Sequence, residues 1–196
     1  MSKRMRGLLL GSAALAFSAS GAAGQGVAIT PQFGVYIPAS NFYELRDQAN
    51  DIRLEKEGTL GLGLAVDAGW LRGSIAYATG ATLNEHGVSN RKDIGEGSVL
   101  AAAADLVVRP LPRMLIQPYL LGGVGLKNAN YDANGSVTEA FPKDETKVAA
   151  HVGLGADLML GRIGVLGEIT DFISRDPDGD WKVHDAFAMV GLKFRL

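Results

Sequence analysis

The chain has 196 residues, of which 47% are hydrophobic and 20% charged, and it contains no cysteine. One domain is expected for this length, and disulfide bonds are excluded as a source of stability. The formal net charge is −2. Without Lys3, Arg4 and Arg6, 16 basic residues face 21 acidic ones, and the net charge becomes −5. An acidic chain of this kind is not expected to bind nucleic acid.

The first 24 residues have the composition of a secretory signal peptide. Three basic residues precede an apolar run at 8–17, and small residues follow up to residue 24. The apolar run is too short to span a membrane comfortably, which favours a cleaved signal over a membrane anchor. We therefore predict a signal peptide at 1–24 and a single domain at 25–196.

The rest of the chain alternates segments of period two with polar connections. In these segments every second residue is apolar, which is typical of a β-strand with one apolar and one polar face. The second segment, TLGLGLAVDAG, shows this most clearly, with leucines and valine on one face and small residues and aspartate on the other. Eight strands are predicted, at about 27–37, 59–69, 71–82, 97–109, 114–127, 146–159, 163–173 and 184–196.

The connections between the predicted strands alternate in length. Long polar loops are predicted at 38–57, 83–96, 128–145 and 174–183, and tight turns near Trp70, at 110–113 and at 161–162. Within the first loop, Asn41 and Glu44 have the spacing of a helix cap and favour a short helix. Eight strands in up-and-down order place the long loops at one end and the turns at the other, which is the plan of a transmembrane barrel.

Periodicity alone does not say which face points inward. A secreted, lipocalin-like carrier would also have eight alternating strands, with its apolar face inside. Here the polar face combines glycine, alanine, serine and threonine with charges of both signs, which suits a narrow interior. The other face is a row of leucine, valine and isoleucine that lipid requires and water disfavours. We predict an all-β, eight-stranded antiparallel up-and-down transmembrane β-barrel with long external loops and short periplasmic turns.

Several stretches resemble the OmpA-like outer membrane β-barrel superfamily. They are GTLGLGLAVDAG at 58–69, QPYLLGGVGL at 117–126, HVGLGADLML at 151–160, Glu168, and VGLKFRL at 190–196. The resemblance covers essentially the whole mature chain and implies a Gram-negative outer membrane location. Members commonly end in phenylalanine, which the barrel assembly machinery reads. Here Phe194 and Leu196 share the apolar phase of the last strand, which implies insertion by that machinery, although the match to the usual signal is imperfect.

The polar faces of the strands carry eleven candidate interior charges. They are Asp67, Arg72, Asp105, Arg109, Lys127, Lys147, His151, Asp157, Glu168, Lys193 and Arg195. An eight-stranded barrel is only just wide enough for its own side chains, and buried charges must pair. We therefore predict a structural network of interior salt bridges. The alternative is a gated path for ions or small solutes.

Enzyme chemistry has weaker support in the sequence. Modification of lipid A within the bilayer would need a Ser-His-acid site that faces lipid, whereas His151 is predicted to face inward and no serine lies two residues after it. His86 and His184 lie in or beside loops and are predicted to be solvated. We predict no enzyme, no catalytic residue and no cofactor.

The last long loop contains three alternating carboxylates, Asp176, Asp178 and Asp180, which resemble the start of a calcium-binding loop. Trp181 takes the place of the required glycine, and Phe187 occupies the last ligand position and cannot bind a metal. We predict an acidic turn rather than a metal site.

Together these observations predict a small, monomeric outer membrane protein with a structural or surface-interaction role in the cell envelope. The expected partners are outer membrane lipid, the barrel assembly machinery through the last strand, and an extracellular partner through the long loops. A narrow channel is the main alternative. A lipocalin-like carrier and a lipid A-modifying enzyme are less favoured.

Overall fold

Antiparallel β-strands account for nearly all of the chain that the structure describes. The structure is a computed structural model and describes residues 26–38, 43–47, 50–56, 58–86, 91–111, 114–133, 144–175 and 181–196. The predicted signal peptide at 1–24 lies outside these residues. Within the described part of the chain, no helix is long and apolar enough to cross a membrane.

The strands run in the order β1 Val27–Pro38, β2 Tyr43–Asp47, β3 Asn50–Lys56, β4 Thr59–Ala68, β5 Leu71–His86, β6 Arg91–Val108, β7 Ile116–Ala133, β8 Glu145–Leu160, β9 Ile163–Arg175 and β10 Trp181–Arg195. β1 and β4 to β10 correspond to the eight predicted strands. These eight strands pair in the order β5, β4, β1, β10, β9, β8, β7 and β6, and β6 pairs with β5. The first and last barrel strands, β1 and β10, are therefore hydrogen-bonded and the sheet closes on itself. The predicted eight-stranded antiparallel barrel is confirmed.

The pairing around the barrel gives its dimensions. A path of cross-strand partners starts at Ala28 and passes through Asp67, Arg72, Asp105, Gly123, His151, Phe172 and Asp185 to Pro38. The path returns to β1 ten residues beyond its start (38 − 28 = 10), which is the shear of the barrel. Eight strands with this shear tilt by about 40° and enclose a radius of about 8 Å, which side chains can fill.

The two faces of each barrel strand differ in burial as the sequence predicted. On β4, Leu60, Leu62 and Leu64 are exposed on the outer wall, whereas Ala65 and Asp67 are buried in the interior. The tight turns after β4 and β8 contain Gly69 and Gly161, whose φ angles of 67° and 71° are conformations that glycine adopts without strain. The turn end of the barrel is the end that these two turns close, and the opposite end is the loop end.

At the loop end, the structure corrects two predicted loops. Most of 38–57 forms the β2–β3 hairpin, and β3 pairs with residues 83–86 of β5. The predicted short helix is wrong at Glu44, which lies in β2 opposite Arg53, while Asn41 lies outside the described residues. The helix prediction used a capping pair without a helical apolar period, whereas the segment itself alternates with period two.

The second predicted loop, 83–96, is also mostly strand. β5 continues to His86, and β6 begins at Arg91, so the two strands form a hairpin that extends beyond the barrel wall. The pairing shifts register between Ala78 and Ala81 and again between Leu83 and Asn84. The sequence analysis missed this extension because it sought an apolar period of two, and residues 83–96 are mostly polar.

Inward glycines make room for the large side chains of the interior. A Cβ atom at Gly125 would lie 2.9 Å from Cε1 of Phe172 and 2.7 Å from the backbone oxygen of Ala102. A Cβ atom at Gly122, which faces outward, would meet nothing within 4 Å. Glycine is therefore required at the first position and not at the second.

We expect Gly125→Ala to lower the free energy of unfolding by about 1–3 kcal/mol, because the added methyl group overpacks the interior against Phe172. The measurement is guanidinium unfolding of the refolded protein in lipid vesicles, followed by tryptophan fluorescence. Gly122→Ala is the matched control and should leave the stability unchanged or slightly raised. Equal losses in both variants would contradict this account of the packing.

Candidate functional site

The barrel interior contains a cluster of charged side chains near the turn end. We call it the turn-end cluster, and its members are Asp67, Arg72, Arg109, Tyr119, Asp157, Glu168 and Lys193. Arg72 is its centre, since Nε lies 2.9 Å from Oδ1 of Asp67 and the guanidinium also forms an ion pair with Glu168. Tyr119 accepts a hydrogen bond of 3.2 Å from Arg72 and donates one of 2.7 Å to Glu168.

Two further cations complete this cluster. Lys193 Nζ lies 2.9 Å from Asp67 and 2.7 Å from Asp157, so it bridges β4 and β8. Arg109 contacts the same two carboxylates, at 3.2 Å and 3.6 Å. Three cations therefore face three carboxylates, and the cluster is formally neutral. Because these groups reach across the interior from opposite walls, they fill the lumen at this level.

A second group of polar side chains lies nearer the loop end. Lys127 pairs with Asp185 and donates a hydrogen bond of 3.0 Å to the hydroxyl of Ser174. Tyr36 donates its hydroxyl proton to the same aspartate. We call these four residues the loop-end cluster, and all of them are buried.

An aromatic layer that includes one histidine–aspartate contact separates the two clusters. The ring of His151 stacks on Phe172 with 4.1 Å between centroids, and Phe172 packs edge-on against Phe187 at 6.0 Å. Nδ1 of His151 lies 2.8 Å from Oδ1 of Asp105. Among the described residues, Nε2 of His151 and Oδ2 of Asp105 have no hydrogen-bond partner, and Oδ1 of Asp157 in the turn-end cluster has none either. The histidine–aspartate pair therefore has more unsatisfied atoms than either cluster.

The interior therefore brings together nine of the eleven predicted charges, and the other two lie at its ends. Lys147 is half-buried toward the loop end and pairs at 2.7 Å with Glu145, two residues before it. Arg195 shares the inward phase of Lys193 but is exposed, so it does not belong to the buried network in which it was predicted. Its partner on β1 is Ala28, near the start of that strand, so Arg195 lies below the last filled layer and its long side chain reaches water.

Sequence reasoning missed several residues that hold the clusters together. Tyr36, Tyr119 and Ser174 were overlooked because only formal charges were sought. Asp185 was overlooked although it shares the inward phase of Lys193, eight residues later on β10. That shared phase was the available signal.

The outer wall holds a polar pair that the sequence did not predict. Nδ1 of His184 lies 2.6 Å from Oδ2 of Asp171, and both side chains are partly exposed on the outer face of β10 and β9. His184 was predicted to be solvated; its side chain is 40% exposed, and its ring also has a carboxylate partner on the adjacent strand. Phe194 and Leu196 are exposed on the same wall, and their role in barrel assembly stays a prediction.

The interior does not provide the parts of a nucleophilic site around His151. Its cross-strand partners are Gly123 and Phe172, and neither carries a hydroxyl or thiol group. The described residues contain no cluster of three or more His, Asp or Glu side chains that could hold a metal ion. The acidic segment with Asp176, Asp178 and Asp180 lies outside the described residues.

We expect Arg72→Met to lower the free energy of unfolding by about 3–5 kcal/mol, because it leaves Asp67 and Glu168 buried beside an apolar side chain. Denaturant unfolding in vesicles would measure this loss. Arg162→Met, which changes an exposed arginine in the β8–β9 turn, should cost less than about 0.5 kcal/mol.

A second variant tests whether the loss comes from the uncompensated charge. Arg72→Met combined with Glu168→Gln should recover part of the stability, since one buried carboxylate is then removed. Strictly additive losses in the double variant would contradict the pairing of Arg72 with Glu168.

The fold is shared with several solved outer membrane proteins. The chain is similar to OprG from Pseudomonas aeruginosa, with 15% identity, a TM-score of 0.62 and coverage of 88% of this chain and 97% of that one. It is also similar to Neisserial surface protein A, with 12% identity, a TM-score of 0.55 and coverage of 88% of this chain and 98% of that one. A major outer membrane protein from Thermus thermophilus is similar as well, with 11% identity, a TM-score of 0.55 and coverage of 87% of this chain and 98% of that one. No protein-family model and no curated protein matches the chain. The architecture is therefore that of the small outer membrane β-barrels.

Proposed function

We propose that this chain is a monomeric outer membrane protein with a filled lumen, whose role in the cell envelope is structural or depends on contacts made by its loop end. The observation that carries this proposal is the inverted polarity of the barrel. Its outer wall is apolar and exposed, and its interior is polar, buried and paired.

The outer wall is suited to lipid. Leu60 is 77% exposed, Val124 65% and Leu154 58%, and similar side chains surround the barrel. In water such a surface would aggregate, whereas the hydrocarbon of a bilayer requires it. At about 40° tilt each residue rises about 2.5 Å along the barrel axis, so ten residues cover the roughly 25 Å apolar band of outer membrane barrels. This inverted polarity argues against a lipocalin-like carrier, whose apolar face lines a ligand cavity.

The filled interior argues against a constitutive channel. The turn-end cluster crosses the lumen with side chains from β4, β5, β7, β8, β9 and β10 and with Arg109, which directly follows β6. Above it, the rings of His151, Phe172 and Phe187 fill the middle of the barrel. An ion would have to displace side chains that are paired with one another in a radius of about 8 Å.

The loop end provides the surface for a partner. The β2–β3 hairpin joins the extended ends of β5 and β6, so these strands form one continuous sheet beyond the barrel wall. Hydrogen-bonded strands have an ordered backbone before a partner binds, which lowers the ordering cost of binding. An extracellular partner is therefore expected at this surface.

We expect the protein to fractionate with the outer membrane and to migrate differently on a denaturing gel before and after boiling. A closed barrel resists the detergent until it is heated, because every strand edge is paired. A single band position under both conditions, with the protein recovered in the soluble fraction, would overturn the membrane assignment and favour the carrier.

We expect no stepwise ion conductance from the wild-type protein in planar bilayers, since the turn-end cluster blocks the lumen. Replacing Arg72, Tyr119 and Glu168 together with Phe172 and Phe187 by serine removes large side chains from both filled layers and should produce measurable steps if the variant still shows the heat-dependent shift. Steps of the same size from the wild-type protein would favour the narrow channel instead.

A further inference from the structure

The lipid-facing wall of β9 and β10 carries a polar stripe near the loop end. On β9 the even-numbered residues from 164 to 174 are buried, so Asp171 and Arg175 face outward. On β10, Asp185 is buried, so the adjacent His184 faces outward. The pairing of β10 with β9 shifts register between Trp181 and Val183, and Trp181 is exposed. We call Asp171, Arg175, Trp181 and His184 the outer-wall site.

The carboxylate of this stripe lies in the upper part of the apolar band, below the level of Arg175. Asp171 is four residues from Arg175 on the same strand, which places it about 10 Å lower along the barrel axis. Ile173 faces outward between them. On the neighbouring strand β8, Val148 lies one residue closer to the loop end than Ala149, the partner of Ser174, and its side chain is 64% exposed. A carboxylate at membrane depth is costly, and such residues commonly mark a functional site.

Asp171 is held in place but remains accessible. Its Oδ2 contacts Nδ1 of His184 at 2.6 Å, and its Oδ1 accepts a hydrogen bond of 3.1 Å from the backbone N–H of Asp185. The side chains of Asp171 and His184 are nevertheless 27% and 40% exposed. A carboxylate oxygen can accept more than one hydrogen bond, so Asp171 can receive a further donor from the lipid side.

Small side chains lie next to this pair on the outer wall. Ala186 on β10 is the cross-strand partner of Asp171, and Ala188 is the partner of Ile169. On the other side of β9, Ala150 is the partner of Ile173. Elsewhere the outward positions carry mostly leucine, valine and isoleucine, so these three alanines leave space for a bulky ligand beside the carboxylate.

The upper part of the stripe has the chemistry of a phosphate site. The guanidinium of Arg175 lies over the ring of Trp181, with 5.0 Å between its central carbon and the ring centroid. Arginine binds phosphate with two parallel hydrogen bonds, and tryptophan is favoured at the boundary between lipid and water. A headgroup phosphate at the height of Arg175 would place the top of the lipid chains at the height of Asp171.

We propose that the outer-wall site binds a phosphorylated lipid that carries hydroxyl or amide N–H groups just below its headgroup. The phosphate contacts Arg175, and a hydroxyl or amide hydrogen is donated to Asp171. A simple glycerophospholipid is a poor fit, because it offers only ester carbonyls at that depth, which cannot donate to a carboxylate. This inference rests on the proposed outer membrane location.

The test uses Trp181 as its reporter. The chain has two tryptophans, so Trp70→Phe at the opposite end of the barrel leaves Trp181 alone. This protein is reconstituted in phosphatidylcholine vesicles with rising fractions of lipid A, which has amide-linked hydroxyacyl chains and phosphates, or of phosphatidylglycerol. We expect a saturating change in Trp181 emission with lipid A at a fraction about tenfold lower than with phosphatidylglycerol.

Asp171→Leu should remove this preference, so that lipid A acts only at the fraction needed for phosphatidylglycerol. The variant replaces a lipid-facing charge by an apolar side chain and is therefore expected to fold. Arg175→Gln itself alters the surroundings of Trp181, so fluorescence cannot report lipid binding in this variant. Its binding is measured instead by native mass spectrometry of the retained lipid A. Arg162→Gln at the turn end is the control and should retain lipid A as the parent does.

An unchanged lipid A preference in Asp171→Leu would overturn the proposal. So would an equal emission change with inorganic phosphate alone, because the lipid part would then contribute nothing. The heat-dependent gel shift is measured on every sample. A shifted protein without lipid selectivity overturns only the outer-wall site, whereas a protein that shows no shift overturns the membrane assignment as well.

Discussion

The pairing of β1 with β10 is the constraint on which the rest of this structure depends. Closure with eight strands and a shear of 10 sets a radius of about 8 Å. That radius admits no more than the side chains of the wall itself, so inward residues such as Arg72 and Lys193 contact residues from distant strands. Glycine at positions such as 125 and charge pairs such as Arg72 with Asp67 are both consequences of this narrow interior.

Much of the fold could be predicted because the period-two pattern is local. In each of the eight barrel strands the alternation is visible within about ten residues, and the composition of each face shows whether it contacts lipid or the interior. The partners of the interior charges could not be predicted in the same way. Arg72 meets Asp67 across a tight turn, but it meets Glu168 only because the shear brings β5 and β9 to the same level.

The errors have related physical causes. Arg195 has the inward phase, but phase does not give height along the barrel, and this residue lies beyond the last filled layer. The loop-end extensions of β5 and β6 were missed because their mostly polar sequence shows no apolar alternation. His184 was treated as solvated because its partner, Asp171, lies on another strand, thirteen residues earlier in the chain.

The last barrel strand supplies groups to both interior clusters. Lys193 on β10 faces Asp67 and Asp157, and Asp185 on the same strand faces Lys127. A sheet that lacked β10 would leave Lys127 without its carboxylate, and Asp157 would keep only the longer contact to Arg109. Electrostatic neutralisation of the interior therefore coincides with closure of the sheet, which makes partly closed barrels unfavourable and folding cooperative.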